Sequence, residues 1–212
     1  MNNDIKIAAI ITAGGISARF GSNKLLEKLE NYSVIETTIL KFIDKVDKII
    51  IPATDETKEF ILKSKIYNEK ISFALSGETR QKSVYNALLK CDNIDIVLIH
   101  DGARPYILPE TIDEAIELTK KHKAVVVGKM AVDTIKVVEN NRITTTLDRT
   151  KIFHAQTPQC FELNLIKTVH EKYKTSLNFT DDSSMAEAEG IKPYILIAKG
   201  KNDKITTKDD LK

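Results

Sequence analysis

Short apolar runs recur along the chain at Ile7 to Ile11, Ile49 to Ile51, Ile71 to Leu75, Ile96 to Ile99, Ala124 to Val127 and Tyr194 to Ala198. Between them lie stretches with helical spacing of apolar positions. Such alternation predicts an α/β chain, a mainly parallel sheet covered by helices. Local signals support the parsing. Ser33 with Glu36 forms a capping box ahead of Val34, Ile35, Ile39 and Ile43. Pro109 suits the first turn of a helix running from about Glu110 to His122, with Ile112, Ala115, Ile116 and Thr119 inward. Gly190 closes a helix that begins near Thr180.

One segment departs from this pattern. Thr134 to Glu139 and Arg142 to Leu147 alternate with period two around Asn140-Asn141, a pair that tolerates positive φ, which predicts an inserted β-hairpin. Its apolar positions Ile135, Val137, Ile143 and Leu147 need a surface to cover, because a lone hairpin is marginal in water. The expectation is a dimerisation arm, at about 132–158, packed on a second copy of the chain. Near the end, Thr207 with Asp210 reads as a capping box for a further helix.

Composition narrows the class. A chain of 212 residues suits one α/β domain, and we read 1–212 as that single domain. With 32 basic against 30 acidic residues the net charge is +2, so no global field favours nucleic acid or a membrane surface and any anion site must be local. Cys91 and Cys160 lack the spacing of a metal site and read as reduced, partly buried thiols. No apolar run reaches the ~20 residues of a membrane span, and Met1 to Lys6 is polar, which points to a soluble cytoplasmic protein.

Four clusters carry candidate chemistry. The first strand runs into Thr12-Ala13-Gly14-Gly15, followed by Arg19 and Lys24. Glycines at that place let backbone amides approach a phosphate, and the two cations add fixed positive charge. The loop is neither GxGxxG nor GxxxxGK[ST], which disfavours a dehydrogenase or a P-loop ATPase, and the glycine pair alone reads equally well as a plain turn. The second cluster, His100-Asp101-Gly102-Ala103-Arg104-Pro105, follows a fully apolar strand. A carboxylate there suits Mg²⁺ on nucleotide phosphates, although Asp101 could equally be a turn former; His100 reads as structural. The third, Gly77-Glu78-Thr79-Arg80-Gln81-Lys82-Ser83, opens a helix that buries Val84, Ala87 and Leu88, and reads either as a base-recognition edge or as a helix start. In the fourth, Asp148-Arg149-Thr150, Arg149 offers a bidentate grip on phosphate or a surface ion pair with Asp148.

The order of these motifs, joined by Val132-Asp133-Thr134-Ile135-Lys136, Leu147 to Thr150, Ala155 to Phe161, Phe179 to Asp182 and Lys204-Ile205-Thr206, resembles the 2-C-methyl-D-erythritol 4-phosphate cytidylyltransferases over essentially the whole chain. The resemblance implies a Rossmann-like fold of nucleotidyltransferase type and CMP transfer from CTP to a sugar-alcohol phosphate, with Mg²⁺ or another divalent cation at Asp101. It implies Arg19, Lys24 and Lys204 as catalytic residues. Thr12, Ala13, Gly14 and Gly15, then Gly77, Glu78, Arg80 and Ser83, then Asp101 and Gly102 would bind CTP. Arg104, Thr134, Arg149, Thr157 and Thr180 would bind the acceptor, with Thr134, Arg149 and Thr157 borne on the neighbouring subunit's arm in a homodimer. Ser17, Asn23, Gly102 and Asp203 depart from the family pattern. The alternatives are a ribitol-5-phosphate cytidylyltransferase, which differs in acceptor, and a non-catalytic nucleotide-binding relative.

Overall fold

The computed structural model describes residues 4–15, 20–176 and 179–211. In chain order the elements are β1 (Ile7–Thr12), β2 (Lys28–Leu29), β3 (Tyr32–Ser33), α1 (Val34–Phe42), β4 (Lys48–Ala53), α2 (Asp55–Leu62), β5 (Ile71–Leu75), α3 (Arg80–Leu88), β6 (Ile96–Asp101), α4 (Pro109–His122), β7 (Ala124–Met130), β8 (Lys136–Glu139), β9 (Arg142–Thr146), β10 (Phe153–Glu162), α5 (Leu163–Lys172), α6 (Asp182–Ala188) and β11 (Tyr194–Ile197). Short 3₁₀ turns cover Arg149–Lys151 and Lys208–Leu211.

The main sheet has the order β11-β7-β10-β6-β1-β4-β5. Its pairs are parallel except for β10, which runs antiparallel to both β6 and β7. The expected α/β architecture is therefore present, and β1 shows why its run has no polar alternation. Ile7, Ala9 and Ile11 enter the core on one face of the sheet, while Ala8 and Ile10 enter the core on the other. A strand at the centre of a parallel sheet must be apolar at every position.

The expected helix starts are also found. Ser33 and Glu36 exchange both capping-box hydrogen bonds at α1. Pro109 occupies the first turn of α4, and Gly190 follows α6 with φ +76°. The Asp210 carboxylate accepts from the amides of Thr206 and Thr207, each at 2.8 Å, and the predicted cap lies at a 3₁₀ turn, Lys208–Leu211.

Two expectations need correction. The hairpin turns at Asn140 and Asn141 with φ 49° and 61°, as predicted, but a bulge between Val137 and Val138 shifts the register. Next to the turn Ile143 lies opposite Val138, and these two form the outward apolar pair, 65% and 56% exposed, whereas beyond the bulge Val137 lies opposite Thr145. Secondly, the excursion ends before residue 153, because β10 returns the chain to the middle of the main sheet. Thr157 is consequently buried in the body of its own chain, not carried on the arm.

Candidate active site

Strand order locates the site. From β1 the chain moves outward through β4 to β5, then crosses back to β6 on the other side of β1, so the direction of winding reverses between β1 and β6. Ligands of open α/β sheets bind at such a switch point, beyond the carboxyl ends of the strands. Thr12 and Asp101, the last residues of β1 and β6, are paired in register there.

Above them opens a cleft of about 670 Å³, lined by the Gly14–Gly15 loop, Lys24, the Ser76 to Arg80 loop, Asp101 to Ala103, Lys204 and Thr206. That volume suits a nucleotide-sized ligand. Gly14 is needed for close approach, since a Cβ at this position would lie 2.8 Å from Ser76 Cβ, closing the gap between the two loops that form the walls. Gly102 is equally crowded. A Cβ there would meet the Thr12 carbonyl oxygen at 2.7 Å, which accounts for glycine at this departure from the family pattern.

The floor of the cleft is a cage of charge. Asp101 Oδ2 lies 2.8 Å from Lys204 Nζ and 3.5 Å from Arg104 Nε, and Oδ1 lies 3.4 Å from Arg80 Nε. Burial alone would push this carboxyl up, but Arg80, Lys204 and Arg104 together outweigh it and hold Asp101 far below the usual carboxylate range. Arg80 is gripped a second time by Asp182, at 2.6 Å, and Asp182 accepts from His170 Nε2 at 3.0 Å. Burial raises the Asp182 carboxyl, yet Arg80 and His170 bring it down to about 2. One guanidinium nitrogen of Arg80, Nη2, is buried without a hydrogen-bond partner among the described residues. An unpaired donor on a residue that lines the cleft suits an anionic ligand oxygen.

Other candidates are placed as follows. Lys24 projects into the cleft and donates to the Ile205 carbonyl at 2.8 Å, next to Lys204 in the chain. The Ser83 hydroxyl accepts from the Gly77 amide at 2.9 Å and donates to the Thr79 carbonyl at 3.0 Å, shaping the Gly77–Thr79 loop from within α3. Ala13 donates its amide to Pro52, holding the phosphate-type loop against β4. Arg104 reaches the Asn202 carbonyl at 2.8 Å. Thr134, Arg149 and Thr180 are exposed and are not among the residues lining the cleft. Arg149 donates to the Val132 carbonyl at 2.7 Å, while Asp148 bonds Thr150 and pairs with Lys151 instead. Arg19 lies outside the described residues.

Sequence reasoning did not find Asp182, His170 or Asn202 as parts of this site. Their partners lie 102, 12 and 45 positions away in the chain, so no local motif joins them. Asp101 brings one hard oxygen donor, and the described residues contain no cluster of three His, Cys, Asp or Glu that could hold a metal. A lone carboxylate fits Mg²⁺, which is commonly held by one or two carboxylates together with substrate phosphates and water.

A glycine-rich loop after β1, a caged carboxylate after β6 and converging lysines at the switch point define a protein of the nucleotidyltransferase class. Comparison with known proteins narrows this. The family model described as IspD, 2-C-methyl-D-erythritol 4-phosphate cytidylyltransferase, matches residues 7–212. The 2-C-methyl-D-erythritol 4-phosphate cytidylyltransferase of Dictyoglomus thermophilum is 42% identical over 218 residues, covering 97% of this chain and 94% of that protein. Among solved structures, the 4-diphosphocytidyl-2C-methyl-D-erythritol synthase of Anaerococcus prevotii superposes with TM-score 0.86 at 28% identity, covering 98% of this chain and 93% of that one. The Francisella tularensis 2-C-methyl-D-erythritol 4-phosphate cytidylyltransferase gives 0.83 at 36% identity, covering 97% and 96%. The chain belongs to the 2-C-methyl-D-erythritol 4-phosphate cytidylyltransferase family.

Proposed function

We propose that this protein is a cytoplasmic enzyme that transfers CMP from CTP to 2-C-methyl-D-erythritol 4-phosphate, giving 4-diphosphocytidyl-2-C-methyl-D-erythritol and pyrophosphate for isoprenoid precursor synthesis. The observation that carries this reading is the meeting of the glycine loop, Lys24, Lys204 and Asp101 in one cleft of a family member. An acceptor phosphate monoester has a second pKa of about 6 and is largely dianionic near neutral pH, so its oxygen attacks the α-phosphorus without a general base. Catalysis then consists of positioning and charge stabilisation. Lys24 and Lys204, with Arg19, stabilise the negative charge that builds up around the α-phosphorus, and the backbone of Ala13 to Gly15 holds the nucleotide phosphates. Glu78, with Gly77 and the loop that Ser83 braces, faces the base and ribose.

Asp101 would hold a divalent cation, which when bound would supply positive charge to the triphosphate and ease departure of pyrophosphate. Arg80 and Arg104 keep Asp101 ionised and in place. The Asp101→Asn variant should therefore require roughly tenfold more Mg²⁺ for half-maximal activity, while metal-free CTP binding is kept, because the three cations of the cage remain. A Mg²⁺ titration beside a CTP titration by calorimetry checks this, and an unchanged Mg²⁺ midpoint would return Asp101 to a turn-forming role.

The protein acts as a homodimer through the hairpin arm. Thr134 and Arg149 of one protomer, together with Thr180 and Arg104, hold the acceptor phosphate. Support for this comes from the Val138–Ile143 pair on the ribbon, which its own chain leaves exposed. Pyrophosphate release from CTP with 2-C-methyl-D-erythritol 4-phosphate and, separately, with ribitol 5-phosphate tests the assignment. A kcat/KM that favours ribitol 5-phosphate would overturn the acceptor, and release with neither would overturn the reaction.

A further inference from the structure

His100 is fully buried at the end of β6 and takes no part in the chemistry described above. Its Nε2 lies 3.1 Å from the Arg104 carbonyl oxygen. A carbonyl only accepts, so Nε2 carries the ring proton. In the neutral ring Nδ1 is then an acceptor, and at 3.0 Å it receives the proton of the Thr157 hydroxyl. The Thr157 oxygen in turn accepts from the Asp101 amide at 3.1 Å. Both ends of the Asp101–Arg104 turn are thereby tied to one imidazole and one hydroxyl. The hydroxyl's only proton is spent on His100, and Thr157 is itself just 5% exposed.

The same turn anchors the lysines. Ala103 accepts from the Ile205 amide at 2.8 Å, Ile205 accepts from Lys24 Nζ, and Lys204 reaches back to Asp101. Asn202, also buried, donates to the Thr157 carbonyl at 2.9 Å and accepts at its own carbonyl from Arg104. A shift of the turn would move Asp101, Lys204 and the Lys24 acceptor together.

We propose that His100 and Thr157 form a buried clamp that sets the Asp101–Arg104 turn, making Thr157 a positioning residue that acts through Asp101 and not a ligand of the acceptor phosphate. The inference deepens the cytidylyltransferase reading and rests on it, but its first test needs no substrate. In Thr157→Val the shape is kept and both hydrogen bonds are lost, leaving the Asp101 amide buried and unpaired. Amide exchange followed by mass spectrometry should rise in 100–104 and in 202–206. In turnover, kcat should fall about tenfold or more with the acceptor KM within about twofold of wild type, and Thr157→Ser should restore kcat to within about threefold. His100→Gln, which leaves Thr157 without its acceptor, should show the same split.

An acceptor KM raised tenfold with kcat preserved would make Thr157 a direct phosphate ligand and overturn the clamp. So would unchanged exchange in 100–104, or a lowered melting temperature with unaltered kcat and KM, which is the mark of a purely structural residue. Should Thr157→Val fail to fold, Thr157→Cys keeps nearly the size with a poor hydrogen-bonding sulfur, and wild-type kinetics and exchange in that variant would equally overturn the proposal. If the wild-type protein turned over no acceptor, the reaction reading would fall while the exchange data still decided the clamp.

Discussion

Replacing Lys24 by alanine is expected to lower kcat by roughly 10²-fold or more, while the melting temperature stays near that of the parent. Lys24 lies half-buried in the wall of the cleft, and its backbone neighbour Leu25 is locked into the core, so its ammonium is delivered to a fixed place. A cation already in position needs no reorganisation when negative charge builds up on the α-phosphate, and for that reason its loss falls on kcat. The fold should tolerate the change, because the ammonium is bonded to a backbone carbonyl at the cleft surface. Steady-state pyrophosphate release at saturating CTP and acceptor reads the effect. Turnover near wild type would sink the role, and a raised CTP KM with unchanged kcat would reduce Lys24 to a ground-state contact.

The second large effect is a recovery. Lys24→Ala and Arg149→Ala should each be nearly inactive alone, yet a mixture that has exchanged subunits should regain about a quarter of wild-type activity. A two-fold dimer holds two composite sites, each drawing Lys24 from one chain and Arg149 from the other. Random exchange makes about half the dimers mixed, and in each mixed dimer one site of the two is intact. The structure motivates the experiment because every residue from Arg142 to Lys151 is exposed, including Ile143, on a two-stranded ribbon with no sheet of its own to join. Such a ribbon is marginal in water without a partner. If mixed dimers confirmed by mass remained inactive, Arg149 would serve its own chain's site or none.

Much of the fold could be read before any coordinates. Apolar runs marked six of the seven strands of the main sheet, and the capping signals at Ser33, Pro109 and Asp210 mark real element starts. The strand that escaped is β10. Its Ala155 to Cys160 stretch carries Gln156, Thr157, Pro158 and Gln159, and a proline argues against a central strand because it cannot donate to the ladder. The chain resolves this with a register shift between Ala155 and Gln159, so that Pro158 falls where pairing is interrupted.

The site divides in the same way. Residues whose role is local were legible from the chain: glycines after a first strand, an aspartate ending a buried one, a threonine and serine bracketing a helix start. All depend on contacts within a few positions, and a sequence displays those directly. What only the tertiary structure decided is how the charges and hydroxyls are spent. Asp101 is caged by Arg80, Arg104 and Lys204, Arg80 is shared with Asp182, and the Thr157 hydroxyl is given to His100. These pairs span from 3 to 103 positions, and whether a buried polar group is a ligand or a brace depends on which partner reaches it first in three dimensions. Period, caps and turns follow from each residue's own neighbours, but the burial that turns a carboxylate into the hub of a site exists only once the strands have been brought side by side.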